Sequence, residues 1–84
     1  MVEFWGSWCP PCQQMSSVMK NLGSSVSEKI KIAKVNIDKN PEVSKMFNVI
    51  GVPSYVIFRN GEIIHKDVGA KSEKQLKEMI EKVI

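Results

Sequence analysis

Residues 5–15 read WGSWCPPCQQM and hold both cysteines of the chain, Cys9 and Cys12, with two prolines between them. A disulfide across so short a loop would stabilise the fold by about 2 kcal/mol, at the low end for disulfides. A structural zinc site of the usual kind needs four Cys or His ligands, and His65 is the only histidine. The pair is therefore interpreted as a redox-active dithiol, with no metal expected.

The residues around the dithiol predict a helix with Cys9 at its N-cap. Pro10 and Pro11 fit the first turn, where backbone N–H groups have no helical acceptor and the fixed φ of proline is already helical. Gly23 and the serines after it are expected to end this helix. Its apolar face, at helical spacing, comprises Cys12, Met15, Val18, Met19 and Leu22.

This placement assigns different roles to the two thiols. A helix N-terminus carries unpaired N–H groups and a partial positive charge, so Cys9 is biased toward thiolate, the nucleophilic form. Cys12 lies on the apolar face, where burial keeps a thiol protonated. Cys9 is predicted to attack a disulfide, and Cys12 to resolve the resulting mixed disulfide.

The remaining segments alternate between strand and helix patterns. VEFW (2–5) and KIKIAKVNID (29–38) are apolar enough for strands, and Asn60-Gly61 between apolar runs is typical of a hairpin. A second helix is expected to begin at Asn40-Pro41, with Val43, Met46, Phe47 and Ile50 facing inward. Ser72 and Gln75 form a capping box before a last helix with inward Leu76, Met79, Ile80 and Val83. The predicted order is βαβαββα.

Composition restricts the classes of function. The chain has 84 residues, of which 43% are hydrophobic and 25% charged, as expected for one soluble globular domain over residues 1–84. The net charge of +3 comes from dispersed lysines, which argues against nucleic-acid or membrane-surface binding. Met1 leads into VEFW without the basic and apolar regions of a signal peptide, so a cytoplasmic location is predicted.

Three segments resemble the thioredoxin family: VEFWGSWCPPC (2–12), AKVNIDKNPEVSKMFNVIGVPSYVIFRNGE (33–62) and VGAKSEKQLKE (68–78). The resemblance implies the α/β thioredoxin fold, a four-stranded mixed sheet of order 2-1-3-4 flanked by three helices. The N-terminal strand and helix of an ordinary thioredoxin are missing from the sequence, so a minimal, glutaredoxin-sized version is expected. The active site also differs, since C-P-P-C replaces the usual C-G-P-C.

The resemblance also implies catalytic roles for two charged residues. Glu3 matches a buried acid that helps to move the proton of the second cysteine, and Lys34 matches the lysine beside that acid. The alternatives are a solvated acid at the start of a strand and an ordinary surface lysine. His65 matches no residue of the family motif and is expected at the surface.

A substrate-binding rim around Cys9 is implied as well. Trp8 matches the tryptophan that covers the dithiol, and a cis bond is expected between Val52 and Pro53. The backbone before this proline would pair with an extended substrate segment, so the substrates would be exposed protein disulfides. The implied rim consists of Trp8, Pro10, Gly51, Val52, Pro53, Gly69 and Ala70.

The predicted function is protein-disulfide reduction by a monomer that needs no bound cofactor and receives electrons from a separate reductase, by resemblance thioredoxin reductase. A glutaredoxin-like, glutathione-linked oxidoreductase is one alternative. An extracytoplasmic domain of the cytochrome c maturation type is another, because C-P-P-C recurs there. A docking module whose cysteines do no chemistry is a third.

Overall fold

The computed structural model describes residues 1–26 and 30–83, which form four strands and three helices. They follow one another as β1 (Val2–Trp5), α1 (Pro10–Val26), β2 (Ala33–Asn36), α2 (Pro41–Met46), β3 (Ser54–Arg59), β4 (Glu62–Val68) and α3 (Glu73–Glu81). The predicted order βαβαββα is confirmed.

The four strands form one mixed sheet in the order β2-β1-β3-β4, which confirms the predicted fold. β1 is parallel to β2 and antiparallel to β3, and β3 is antiparallel to β4. The β3–β4 turn is made by Asn60 and Gly61, whose φ angles are 53° and 81°, as a two-residue turn of this type requires. Consequently, Trp5, Asn36, Ser54 and Val68 all lie at the same end of the sheet.

The two faces of the sheet are covered by different helices. α1 and α3 share one face, and their apolar side chains form the main core with Met1 and residues of β3. On the opposite face, Phe47 at the end of α2 lies 5.9 Å from Phe4 and 5.4 Å from Phe58 between ring centroids. The main core comprises Met1, Met15, Met19, Leu22, Val26, Tyr55, Ile57, Leu76, Met79 and Ile80.

α1 extends past the predicted end at Gly23 and continues to Val26. Val26 lies one turn after Leu22 on the buried face, so its packing outweighs the roughly 1 kcal/mol that a glycine costs inside a helix. The serine hydroxyls also accommodate the helix, since Ser24 and Ser25 donate to carbonyl oxygens of the preceding turn. The prediction of the helix face was correct, and only its end was wrong.

β2 is shorter than the predicted strand over 29–38, and residue 29 lies outside the described residues. It pairs with β1 alone and forms an outer strand of the sheet. Ala33 is therefore exposed and Val35 only half-buried, although the apolar pattern had suggested burial. An outer strand has a neighbouring strand on one side only, so the side chains of a second neighbour do not shield Ala33 and Val35.

α2 begins at Pro41 as predicted, with Asn40 in the N-cap position, but two of its expected inward residues are wrong. Met46 is 74% exposed and Ile50 is 99% exposed. The helix ends at Met46, and Asn48 then takes a positive φ of 53°, so the helical spacing does not continue to Ile50. Val43 and Phe47 remain on the inner side, half-buried.

The capping box of α3 is confirmed: the Gln75 N–H donates to the Ser72 hydroxyl, and the Ser72 N–H donates to the Gln75 side chain. Leu76, Met79 and Ile80 are buried as expected, and Val83 is half-buried. Among the described residues, none of the helices has the length and apolar composition required to cross a membrane.

Candidate active site

The two cysteines lie where β1 passes into α1 and are joined by a disulfide, with 5.2 Å between their Cα atoms. α1 begins at Pro10, so Cys9 occupies the N-cap. The Cys12 N–H donates to the Cys9 sulfur at 3.2 Å. Pro10 and Pro11 have no amide hydrogen, so Cys12 provides the first backbone donor after Cys9. An N–H donor in this position, together with the field of a helix N-terminus, favours the thiolate form of a cysteine.

One loop lies beside the disulfide, and a second loop is joined to the first by a hydrogen bond. The Val52–Pro53 peptide bond is cis, and the Val52 carbonyl oxygen is 3.7 Å from the Cys9 sulfur. The Gly69 N–H donates to the Pro53 carbonyl at 2.8 Å, which joins the end of β4 to the cis-proline loop. Gly69 has a φ of 106°, a value that favours glycine. These residues therefore form a continuous surface next to Cys9, and Ala70 is exposed beside it.

Trp8 directly precedes Cys9 and is 61% exposed. Its indole N–H donates to the Asp38 carboxylate at 2.8 Å. The ring also lies against Gly6, where an added Cβ would come within 2.9 Å of Trp8 Cε2. Asp38 and Gly6 thus fix the ring, and the sequence analysis assigned neither residue a role. Asp38 could have been found, because it follows β2, whose carboxyl end lies beside that of β1.

Two exposed apolar side chains that the sequence analysis did not assign to the rim lie next to its predicted residues. Ile50 precedes Gly51 in the cis-proline loop, and Val68 ends β4 with 54% of its surface exposed. An added Cβ on Gly51 would contact the Val68 side chain at 3.4 Å, so the two segments are adjacent. Exposed apolar side chains grouped beside a reactive centre are typical of a surface that binds protein.

Glu3 is buried, with 1% of its surface exposed, in the central strand β1. Burial raises the pKa of its carboxyl from 4.5 to about 7, and the nearby Lys34 charge offsets part of that effect. Its Oε2 atom has no hydrogen-bond partner among the described residues. Glu3 is on the sheet face covered by α1, the helix that carries Cys12. The solvated-acid alternative does not match this position.

Lys34 is the direct neighbour of Glu3 in the β1–β2 register and is exposed. Its Nζ lies 5.3 Å from the centre of the Trp5 ring, a distance at which a cation is attracted to the ring face. Lys34 is thus both a neighbour of the acid and a surface lysine. His65 was expected at the surface, but it is half-buried in β4 and its Nε2 is buried without a partner among the described residues.

Residues 1–82 match the family model described as Thioredoxin. The chain belongs to the thioredoxin family. It is 34% identical over 80 residues to the thioredoxin of Buchnera aphidicola subsp. Baizongia pistaciae, an alignment that covers 95% of this chain and 73% of that protein. It is 35% identical over 80 residues to the thioredoxin of Rhodospirillum rubrum, which covers 95% of this chain and 77% of that protein. The thioredoxin of Alicyclobacillus acidocaldarius is 30% identical over 84 residues, which covers 100% of this chain and 80% of that protein.

Membership of the thioredoxin family and the Cys9–Cys12 pair make this chain a thiol-disulfide oxidoreductase that reduces protein disulfides. The reaction class follows from the chemistry of the pair: a dithiol that closes to a disulfide gives up two electrons. Family membership alone does not assign roles to the individual residues.

Proposed function

We propose that Cys9 is the nucleophile and Cys12 the resolving thiol in the reduction of a protein disulfide. The Cys9 thiolate attacks one sulfur of the substrate disulfide, forming a mixed disulfide and releasing the other substrate cysteine as a thiolate. Cys12 loses its proton and attacks the Cys9 sulfur, which closes the Cys9–Cys12 disulfide and releases the second substrate cysteine. The observation that carries this order is the Cys12 N–H bond to the Cys9 sulfur at the helix N-cap.

Glu3 is the proposed acceptor of the Cys12 proton. A carboxyl with a pKa of about 7 is partly ionised near neutral pH, so it can take up a proton and later return it to solvent. Its burial on the sheet face beneath α1 places it on the same side of the sheet as Cys12. Lys34 assists by its charge, which favours the carboxylate over the neutral acid.

The rim is the proposed binding surface for an extended segment of the substrate protein. The Val52 backbone stands beside the Cys9 sulfur and would pair with the substrate main chain, which gives affinity without a strict sequence requirement. Exposed Trp8 and Pro10 form one side of this surface, and Gly51, Gly69 and Ala70 form the other, where small side chains permit close approach. Pro53 holds the Gly69 loop through its carbonyl.

Electrons are proposed to come from a separate reductase, of the thioredoxin reductase type, that reopens the Cys9–Cys12 disulfide. The chain acts as a monomer, as one domain over residues 1–84, in the cytoplasm, and requires no bound cofactor. The family match supports a protein substrate and a reductase partner.

The redox potential of the Cys9–Cys12 pair tests whether the protein acts as a disulfide reductase. Pro10 removes an amide that could have stabilised the Cys9 thiolate, and it stiffens the turn that holds both sulfurs together. Both effects favour the disulfide, so the potential is expected at or below that of thioredoxin, about −270 mV. Equilibration against glutathione buffers, followed by thiol alkylation and mass spectrometry, measures it. A value above about −180 mV, in the range of disulfide isomerases, would contradict a reductase.

The alternative functions are separated by two further assays. A docking module would not accelerate the reduction of insulin by dithiothreitol, whereas a disulfide reductase would. A glutaredoxin-like enzyme would reduce a glutathione mixed disulfide with glutathione as its only electron donor. Activity with thioredoxin reductase and NADPH, and none with glutathione, is the expected result.

Ile50→Ser is predicted to weaken substrate binding without affecting the dithiol. The side chain is 99% exposed, so its removal should leave the fold intact while the rim loses an apolar contact. We expect KM for insulin to rise about fivefold, which corresponds to about 1 kcal/mol, with kcat unchanged. Ile63→Ser is the matched control, because Ile63 is also exposed but lies beside the hairpin turn at the opposite end of the sheet. An equal effect of the two substitutions would argue against a rim role for Ile50.

A further inference from the structure

Glu3 is part of a row of polar side chains that crosses three strands. In the sheet register Glu3 is paired with Tyr55 of β3, and Tyr55 is paired with Asp67 of β4. Directly paired residues project from the same face of a sheet, with Cβ atoms about 5 Å apart. Tyr55 belongs to the core under α1 and α3, so the row lies on the face beneath these helices.

The hydroxyl of Tyr55 is a polar group inside the apolar core, where packing alone does not require one. Tyr55 has 0% of its surface exposed, and its hydroxyl has no hydrogen-bond partner among the described residues. The Oε2 atom of neighbouring Glu3 is also buried and has no hydrogen-bond partner among the described residues. Buried polar atoms are almost always paired, because leaving either atom unpaired destabilises the fold. Two such atoms on directly paired residues indicate that they serve one another.

We propose that Tyr55 is a positioning residue for Glu3, and that its hydroxyl donates a hydrogen bond to the Glu3 carboxylate through one buried water or, after rotation of the two side chains, directly. The contact orients the carboxylate beneath α1 and stabilises its ionised form. When Glu3 takes up the Cys12 proton, the hydrogen bond reverses: the Glu3 O–H donates and the Tyr55 oxygen accepts. A hydroxyl group can do both, whereas a phenylalanine ring at this position can do neither.

The charges near the row keep Tyr55 in its neutral form. Burial and the negative charges of Glu3 and Asp67 raise the pKa of the Tyr55 hydroxyl well above its ordinary value, so it retains its proton throughout the working range of pH. Asp67 is itself paired with Lys71 at 3.1 Å. Within the described part of the chain, the other titratable or charged groups around this face include the Met1 amino group, Lys34 of β2, His65 of β4, Cys12 and Lys20 of α1, and Glu78 and Lys82 of α3.

The test is the pKa of the Glu3 carboxyl in Tyr55→Phe, measured by carbon-detected NMR on the oxidised protein. The substitution removes one oxygen and keeps the ring, so the core packing is retained. A hydrogen bond to a charged group contributes about 1.5 kcal/mol, so its loss should raise the Glu3 pKa by about one unit. Ile57→Val is the matched control, because it alters packing on the same strand and face without changing a polar atom. It should leave the pKa unchanged.

A measurement on the wild-type protein is independent of any variant. The resonance of the Tyr55 Cζ carbon should shift with the ionisation of Glu3, with the same midpoint as the carboxyl. An unchanged Glu3 pKa in Tyr55→Phe, or a Tyr55 resonance that does not respond to Glu3, would overturn the proposal.

This inference rests on the proposed role of Glu3 as proton acceptor, but the two can fail separately. The NMR readout uses the oxidised protein, in which no thiol reacts. A raised Glu3 pKa in Tyr55→Phe supports the contact even if Glu3→Gln has normal kinetics, a result that would remove only the catalytic role of Glu3. If both hold, the pH profile of the resolving step in Tyr55→Phe should move upward by the same one unit.

Discussion

Replacing Cys9 by serine is expected to abolish catalysis, leaving insulin reduction at the rate of dithiothreitol alone. Without the Cys9 sulfur no mixed disulfide can form, because Cys12 is turned toward the core on the buried face of α1. Replacing Cys12 by serine should also stop turnover, but at a different step. Cys9 can still attack, and the mixed disulfide then persists because nothing resolves it.

Trapping of the substrate therefore distinguishes the two variants. Cys12→Ser incubated with an oxidised protein substrate should give a covalent adduct on a non-reducing gel that dithiothreitol removes, and Cys9→Ser should give almost none. Alkylation of the reduced wild-type protein with iodoacetamide below pH 8 should modify Cys9 first. Adducts of similar yield from both variants, or equal alkylation of both thiols, would contradict the assigned roles.

Replacing Glu3 by glutamine should slow the resolving step by about 100-fold at pH 7 and leave the first attack nearly unchanged. The amide has nearly the size of the carboxyl but cannot accept the Cys12 proton. In the wild-type protein the rate of resolution should rise with pH through about 7, the pKa of Glu3, and the variant should lose this inflection. Stopped-flow release of the substrate thiol, compared with the rate of mixed-disulfide formation, separates the two steps.

Glu62→Gln is the matched control, since Glu62 is an exposed acid beside the hairpin turn at the far end of the sheet. It should leave both rates unchanged. If Glu3→Gln resolved mixed disulfides at the wild-type rate across pH 6–9, the acceptor of the Cys12 proton would have to be another group or solvent.

Glu3→Gln should also change how the free energy of unfolding depends on pH. In the unfolded chain Glu3 ionises near 4.5, and in the folded protein near 7. Between these values the folded state holds a proton that the unfolded state has lost, so the free energy of unfolding falls as pH rises, by about 3 kcal/mol in total. In Glu3→Gln the free energy of unfolding should not fall in this way as the pH rises. Urea unfolding of the oxidised proteins at pH 4.5 and pH 8 measures the difference, and parallel profiles would exclude a buried, titrating Glu3.

Much of the site could be predicted because its residues act through local rules. Cys9 at an N-cap followed by two prolines leaves few alternatives to a helix start, and Asn60-Gly61 and the Ser72–Gln75 box are equally local signals. The cis bond before Pro53 and the burial of Glu3 depend on contacts distant in the sequence. Resemblance to a family implied them, whereas composition and spacing left Glu3 with two interpretations.

The errors occurred where position in the sheet or a turn determines exposure. Met46 and Ile50 fit a helical spacing, but the spacing ends with α2 at Met46 and the backbone turns at Asn48. His65 was assigned to the surface from its isolation in the sequence, and α3 covers part of it. The contact from Asp38 to Trp8 joins side chains 30 positions apart, so it becomes visible only once β1 and β2 are known to be parallel neighbours.

The short outer strand β2 has a consequence if substrates pair with the backbone of the protein, as proposed for Val52. Unpaired edge strands invite aggregation with any extended segment, and proteins protect them with short length, charged side chains and bulges. β2 has four residues and carries exposed Lys34, with Lys31 just before it. β4, at the opposite edge, carries exposed Glu62 and Lys66, and its pairing with β3 shifts register between Ile57 and Phe58. Both edges therefore carry features that disfavour pairing with another chain, which leaves the Val52 backbone as the proposed place where a substrate segment pairs.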